Sequence, residues 1–144
     1  MPYKTLTLEV REHVALITIN RPDAMNTLDL ELGAELLEAA IECEGTPAVR
    51  AVVMTGAGKA FCAGGDLRGM QQRGAGVEAY LLELTTYLHS AIVHFTRMDA
   101  PVVAAINGVV AGAGLGLVAM ADLSVAAANA RFTSAYTGVG LTPD

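Results

Sequence analysis

The sequence predicts an α/β fold, formed as one domain over residues 1–144. Short runs of β-branched and apolar residues alternate with longer segments in which apolar residues recur at helical spacing. The order strand, strand, helix occurs repeatedly, and no linker, low-complexity segment or sequence repeat interrupts it. A chain of 144 residues can bury about 68–70% of its unfolded surface, so one hydrophobic core is sufficient.

The first third of the chain predicts a hairpin, a helix and a strand. Residues 5–10 alternate between polar and apolar, residues 14–19 are nearly all apolar, and the polar residues 11–13 between them predict a turn. From residue 30 to about residue 45, apolar residues recur at helical spacing, which predicts an amphipathic helix. The β-branched run at residues 49–55 then predicts a buried strand.

The rest of the chain predicts two further helices and three strands. Residues 77–98 are a long helical segment, and Pro101 precedes a strand at 102–106. A helix at about 115–121 is followed by two strands at 123–127 and 131–135. One face of the long helix carries its large apolar residues, namely Leu81, Leu84, Leu88, Ile92 and Phe95.

Charge and cysteine content exclude several classes of function. The net charge is −6, from 15 acidic and 9 basic residues, and no basic cluster is present, so nucleic acid is not an expected partner. Cys43 and Cys62 are isolated, without Cys-x-x-Cys spacing or a companion pair of histidines. This pattern favours reduced, buried thiols over a disulfide or a metal site.

An apolar run at residues 101–120 is long enough to span a bilayer, with Asn107 as its one strongly polar residue. The Asn107-Gly108 turn signal and several small residues divide this run into a strand and a later helix. Residues 1–10 alternate in polarity and lack the long apolar stretch of a secretory signal. We therefore expect a cytoplasmic protein that does not enter the membrane.

Two glycine-containing loops, each after a predicted strand, are the candidate functional segments. They are residues 61–67 (Phe-Cys-Ala-Gly-Gly-Asp-Leu) and residues 107–114 (Asn-Gly-Val-Val-Ala-Gly-Ala-Gly). Neither contains a Ser-His pair, a metal cluster or a phosphate-binding lysine, so their usable chemistry is backbone N–H. If a helix begins near Gly114, its first N–H groups could hold an oxyanion. Judged singly, each loop is better explained by tight turns and close packing of the backbone.

Three short segments of the chain, taken together, form a pattern that the single loops do not. They are residues 17–25 (Ile-Thr-Ile-Asn-Arg-Pro-Asp-Ala-Met), residues 61–67, and residues 101–108 (Pro-Val-Val-Ala-Ala-Ile-Asn-Gly) with the glycine-rich turn that follows. Their order and spacing closely resemble those of the enoyl-CoA hydratase/isomerase (crotonase) family. The resemblance extends through essentially all 144 residues.

The resemblance implies a spiral of ββα turns, here incomplete at the C-terminus because family members are substantially longer. It also implies an acyl-CoA thioester as partner, and a homotrimer or dimer of trimers if the C-terminal part is present. Coenzyme A would enter as part of the substrate, and no separate cofactor or metal is expected.

The resemblance also implies an oxyanion hole formed by the backbone N–H groups of Gly65 and Ala113. The family usually has glycine where Ala113 stands, but the N–H donor is retained. Asp66 would fix the loop rather than take part in chemistry. The residues expected to contact coenzyme A or substrate are Ala24, Met25, Leu28, Ala63, Gly64, Gly65, Asp66, Leu67, Val110, Ala111, Ala113, Gly114 and Tyr136.

Departures from the family pattern bear on the reaction. Hydratases of the family carry two catalytic glutamates, and here Gly116 and Tyr136 stand at those positions. Neither can activate water as a carboxylate does, which argues against classical hydration. Asp144 lies where isomerases of the family place an acidic residue, and one carboxylate suffices to move a proton between two carbons. A solvated turn aspartate after Pro143 is an equal alternative.

The leading hypothesis is therefore an isomerase that shifts a double bond or opens a ring in an acyl-CoA, with Gly65, Ala113 and Asp144 as its catalytic residues. Another reaction of the family, hydration or thioester hydrolysis, is the alternative among enzymes. A catalytically silent module that binds coenzyme A or assembles with other chains is the alternative from a different class.

Overall fold

A computed structural model describes residues 3–143, which form eight strands and four α-helices. The strands are β1 (Leu6–Arg11), β2 (Val14–Ile19), β3 (Ala51–Gly56), β4 (Ala60–Cys62), β5 (Val102–Ile106), β6 (Val109–Ala111), β7 (Leu123–Ala126) and β8 (Arg131–Thr133). The helices are α1 (Leu30–Gly45), α2 (Leu67–Gln72), α3 (Val77–Arg97) and α4 (Gly114–Ala119). Short 3₁₀ turns at Pro22–Ala24, Gly74–Gly76 and Tyr136–Val139 complete the regular structure.

The strands belong to two sheets that the chain visits in turn. The larger sheet has the order β1-β2-β3-β5-β7, in which β1 and β2 form an antiparallel hairpin and the later pairs are parallel. The smaller sheet has the order β4-β6-β8 and is entirely parallel. After the hairpin, a strand of the larger sheet is followed by one of the smaller sheet, and helices then return the chain to the larger sheet. This arrangement confirms the predicted α/β class and its spiral of ββα turns.

The core lies between the larger sheet and the pair α1 and α3, which pack directly on each other. Asp29 caps α1, since its side chain accepts a hydrogen bond from the Leu32 N–H at 2.9 Å. Gly33 allows the two helices to approach closely, because a Cβ there would lie 3.1 Å from Leu84 Cδ1. Apolar residues of both sheets and of α1, α3 and α4 join in one buried cluster.

The predicted elements are largely found, with three additions. The strand at Val14–Ile19 is confirmed at both ends, and the long helix ends at Arg97, one residue earlier than predicted. Strands β4 and β6 lie largely in the segments read as loops, and helix α2 lies in a segment to which no element was assigned. Each is only three to six residues long, which is too short to define a period.

The apolar run at residues 101–120 is divided among β5, β6 and α4, as the turn signal at Asn107-Gly108 predicted. Among residues 3–143, no helix combines the length and the apolar character that crossing a bilayer requires.

Two asparagines tie the ends of the strands together. Asn26 is completely buried; its Oδ1 accepts a hydrogen bond from the Arg21 N–H at 2.8 Å, and its Nδ2 donates to the carbonyls of Ala57 and Ala60 at 2.9 and 2.7 Å. Asn107 Oδ1 accepts from the Gly56 N–H at 3.0 Å, and Asn107 Nδ2 donates to Ala60 O at 3.2 Å. These bonds hold the segment after β3 in the path that leads to the Gly64-Gly65 loop.

We expect Asn26→Ala to lower the free energy of unfolding by about 1–3 kcal/mol, because it leaves the Ala57 carbonyl and the Arg21 N–H without their partner and removes one of the two hydrogen bonds to the Ala60 carbonyl. Urea unfolding followed by circular dichroism measures this change. The exposed Asn129→Ala is the control and should change stability by less than about 0.5 kcal/mol. Equal stability of the two variants would contradict the structural role of Asn26.

Candidate active site

Two cavities meet at the Gly64-Gly65 loop. The first, which we call the apolar cavity, has a volume of about 310 Å³. Its wall is formed by Leu28, Ala63, Gly64, Gly65, Leu67, Met70, Leu81, Leu84, Thr85, Leu88, Gly112, Ala113, Ala135, Tyr136, Val139, Leu141 and Thr142. The second, which we call the polar groove, has a volume of about 570 Å³. Its wall is formed by Asp23, Ala24, Met25, Thr27, Ala63, Gly65, Asp66, Leu67, Arg68, Gly69 and Gln72.

Gly65 belongs to both cavities, and its backbone is held by a parallel bridge to Leu28. Leu28 N–H donates to Gly64 O at 2.7 Å, and Asp66 N–H donates to Leu28 O at 2.8 Å. In extended backbone, successive N–H groups point in opposite directions, so the Gly65 N–H points away from Leu28. The bridge therefore fixes the loop while leaving the Gly65 donor unused.

The two glycine-containing loops lie against each other through their backbones. A Cβ on Gly64 would lie 2.9 Å from Ala111 O and 3.4 Å from Gly112 Cα, closer than side-chain atoms normally pack. Gly64 also has a φ of 93° and Gly112 a φ of 50°, a region that favours glycine. Glycine at position 64 is therefore what allows the loops to come this close, whereas at position 112 glycine is favoured by the backbone conformation alone.

Ala113 follows this contact and precedes the first residue of α4. Its carbonyl accepts a hydrogen bond from Gly116 N–H at 3.0 Å. Within residues 3–143, the N–H groups of Gly65 and Ala113 donate no hydrogen bond to a backbone carbonyl. Both residues line the apolar cavity, so two unused donors lie in one wall.

Arg21 joins the loop to the segment before α1, and the sequence analysis did not single it out. Arg21 Nη2 lies 2.8 Å from Asp29 Oδ2 and 3.4 Å from Asp66 Oδ2, and Arg21 Nη1 donates to Thr27 O. Asp66 Oδ1 also accepts from the Gly69 N–H at 3.1 Å and so caps α2. These bonds agree with the expectation that Asp66 fixes the loop. The one sequence feature that could have identified Arg21 was its position in the Asn-Arg-Pro part of residues 17–25.

The predicted binding residues divide into two groups and a remainder. Leu28, Gly64, Ala113 and Tyr136 line the apolar cavity; Ala24, Met25 and Asp66 line the polar groove; Ala63, Gly65 and Leu67 line both. Val110, Ala111 and Gly114 line neither cavity, and their contact with coenzyme A or substrate stays a prediction.

A physical reason explains that difference. Val110 and Ala111 belong to β6, and the Val110 side chain is wholly buried in the core. Gly114 lies against the carbonyl of Cys62, where a Cβ would be only 2.2 Å from the oxygen. These residues support the wall from behind. Asp144 lies outside the described residues.

Several wall residues lie on the apolar face that the sequence predicted for the long helix. Leu84 and Leu88 lie on the apolar face of α3, as its periodicity predicted, and the same face closes the apolar cavity. Met70 on α2 carried no signal, because α2 itself was not predicted. Periodicity identifies an inward face but does not separate a packed core from a cavity wall.

Burial keeps the two thiols protonated. It raises the pKa of Cys62 to about 11 and that of Cys43 to about 11 as well. Cys62 is therefore a packing residue beneath the loop, in agreement with the expectation of a reduced, buried thiol. Residues 3–143 also contain no group of three or more His, Cys, Asp and Glu side chains arranged to hold a metal ion.

Comparison with known proteins places this geometry in a family. The sequence profile of the enoyl-CoA hydratase/isomerase family matches residues 9–144, nearly the whole chain. The chain belongs to the enoyl-CoA hydratase/isomerase family. The resemblance drawn from the three sequence segments is thus confirmed.

Individual members of the enoyl-CoA hydratase/isomerase family agree in sequence and in structure. A probable enoyl-CoA hydratase of Mycobacterium tuberculosis is 42% identical over 98% of this chain and 54% of its own length. The 1,2-epoxyphenylacetyl-CoA isomerase of Escherichia coli is 34% identical over 94% of this chain and 52% of its own length. The crystal structure of an enoyl-CoA hydratase from Polaromonas sp. JS666 superposes with a TM-score of 0.90 at 35% identity, over 96% of this chain and 54% of that one. The chain thus spans about half the length of the curated relatives it matches.

We expect the Cys62 thiol to react with a disulfide reagent at pH 8 only after unfolding. The raised pKa of Cys62 also makes folding depend on pH. The contribution of the protonated Cys62 thiol to stability is complete below the ordinary pKa of 9.0 and is lost as pH rises towards 11. Thiol titration with and without urea measures the first effect, and unfolding at pH 8 and pH 10.5 measures the second. Cys62→Ala should lose less stability between these two pH values than the unmodified chain; equal losses would contradict the assignment.

Proposed function

We propose that this chain is the thioester-binding part of an acyl-CoA enzyme that stabilises an enolate. The observation that carries the proposal is the position of Gly65, which is shared by an apolar cavity and a polar groove. An acyl-CoA has one apolar end and one polar end, joined at the thioester. With the acyl group in the apolar cavity and the coenzyme in the polar groove, the thioester carbonyl lies beside Gly65.

The two unused N–H donors supply the chemistry of this proposal. Removing a proton next to a thioester carbonyl moves negative charge onto the carbonyl oxygen, and the N–H groups of Gly65 and Ala113 would stabilise that charge. A preorganised donor in a site sheltered from water contributes about 2.7–4 kcal/mol to the transition state. No metal or additional cofactor is needed for this step, because the thioester itself makes the neighbouring proton acidic.

Among reactions that use such an enolate, we favour isomerisation. Gly116 and Tyr136 stand where hydratases of the family have glutamates, so neither position offers a carboxylate to activate water. Asp144 supplies the single carboxylate that a proton shift needs. One relative is named a 1,2-epoxyphenylacetyl-CoA isomerase, and this name supports the choice.

Hydration is the second candidate, because two of the three relatives described above are named hydratases. An acid or base for that reaction would have to come from a residue other than Gly116 and Tyr136. A silent binding module is a third candidate, and the absence of turnover with retained binding would favour it. Assembly into a homotrimer and a cytoplasmic location remain part of the proposal for the whole protein.

Ala113→Pro tests the oxyanion hole. The φ of Ala113 is −60°, which proline adopts, so the substitution removes the N–H with little demand on the backbone at this residue. We expect kcat for an enoyl-CoA to fall about 10²–10³-fold.

Ala113→Gly is the matched control, since it keeps the N–H and is the residue usual in the family. It should retain most of the activity. An active Ala113→Pro enzyme, or equal losses in the two variants, would contradict the role of this N–H.

Asp144→Asn separates isomerisation from hydration. If Asp144 is the base, the variant loses turnover of a 3-enoyl-CoA while calorimetry still detects binding of the thioester. Hydration of a trans-2-enoyl-CoA at a rate that Asp144→Asn leaves unchanged would instead support a hydratase.

A further inference from the structure

Met70 covers the backbone at Gly65. A Cβ built on Gly65 would lie only 2.4 Å from the terminal methyl group of Met70, so that methyl occupies the space directly beside the loop. Met70 lines the apolar cavity but not the polar groove. Its side chain therefore stands at the point where an acyl group would leave the thioester and enter the cavity.

The described part of the wall of the apolar cavity carries no charged side chain. Among the described residues that form it, none is Asp, Glu, Lys, Arg or His, and the polar side chains are those of Thr85, Tyr136 and Thr142. A carboxylate or ammonium group placed there would lose its water shell without gaining a charged partner. The wall thus favours acyl groups that carry no charge.

The volume of the apolar cavity indicates how bulky an acyl group it can hold. An apolar protein cavity of about 150 Å³ is large enough to hold benzene. At about 310 Å³, this cavity has room for at least an aromatic ring or a chain of similar bulk. A four-carbon acyl group would leave much of the apolar wall without contact.

We propose that the apolar cavity takes an uncharged acyl group at least as bulky as a benzene ring, and that Met70 determines how much bulk is accepted next to the thioester. This inference rests on the proposed function and extends it to the substrate class. Methionine suits such a position, because its unbranched, flexible side chain can move aside for one group and pack against another.

Binding of thioesters that lack an enoyl double bond tests the proposal without requiring turnover. Calorimetry would compare butyryl-CoA, octanoyl-CoA, phenylacetyl-CoA and suberoyl-CoA, the last being an eight-carbon acyl group that ends in a carboxylate. Octanoyl-CoA and phenylacetyl-CoA should bind more tightly than butyryl-CoA, and suberoyl-CoA more weakly than octanoyl-CoA by at least about tenfold.

Met70→Ala should raise the preference for phenylacetyl-CoA over butyryl-CoA about tenfold, because it opens space beside Gly65. Met70→Leu, which nearly conserves volume, should change the preference little. Met98→Ala is the matched control: Met98 is half-buried against the core and lines neither cavity.

Three results would overturn the inference while leaving the proposed function intact. They are tight binding of suberoyl-CoA, a preference for butyryl-CoA in the unmodified chain, and an equal shift of preference in Met70→Ala and Met98→Ala. In contrast, thioesters that bind no better than coenzyme A alone would overturn the proposed function and this inference together.

Discussion

The direct contact between the backbones of Gly64 and Gly112 is the constraint on which the candidate site depends. A side chain at Gly64 would meet the Ala111 carbonyl, and both glycines have positive φ values. Because the loops meet here, Gly65 and Ala113, each one residue further along the chain, lie in the same cavity wall. The donors of the proposed oxyanion hole are thus positioned by the absence of side chains at the preceding residues, Gly64 and Gly112.

Backbone donors cannot be adjusted by exchanging side chains, so their positions depend on the surrounding hydrogen bonds. Asn26 and Asn107 satisfy carbonyls between β3 and β4, while Arg21 links Asp29 to Asp66. Each of these polar groups is partnered in a region where an unpaired group would be costly. Among the described residues, the N–H groups of Gly65 and Ala113, one in each loop, donate to no backbone carbonyl, which is the condition for the proposed electrostatic stabilisation without reorganisation.

Much of the fold could be predicted because its long elements carry a strong period. The hairpin, α1 and α3 each present a repeating apolar face, β5 is an apolar run after Pro101, and all four were found close to their predicted bounds. Strands β4 and β6 were missed because three residues are too few to define a period. They exist because each pairs with the next strand of the smaller sheet, an interaction between segments far apart in sequence.

The sequence by itself determined the α/β class, the order of the main elements, the two glycine-containing loops and the family to which the chain belongs, since these follow from local patterns and motifs. Only the tertiary structure decided that Gly65 separates an apolar cavity from a polar groove, that Arg21 braces Asp66, and that Val110 and Gly114 stand behind the wall. The physical reason is that a cavity wall and a packed core have the same apolar sequence pattern. Whether an inward-facing residue meets another side chain or an open space depends on how distant segments pack.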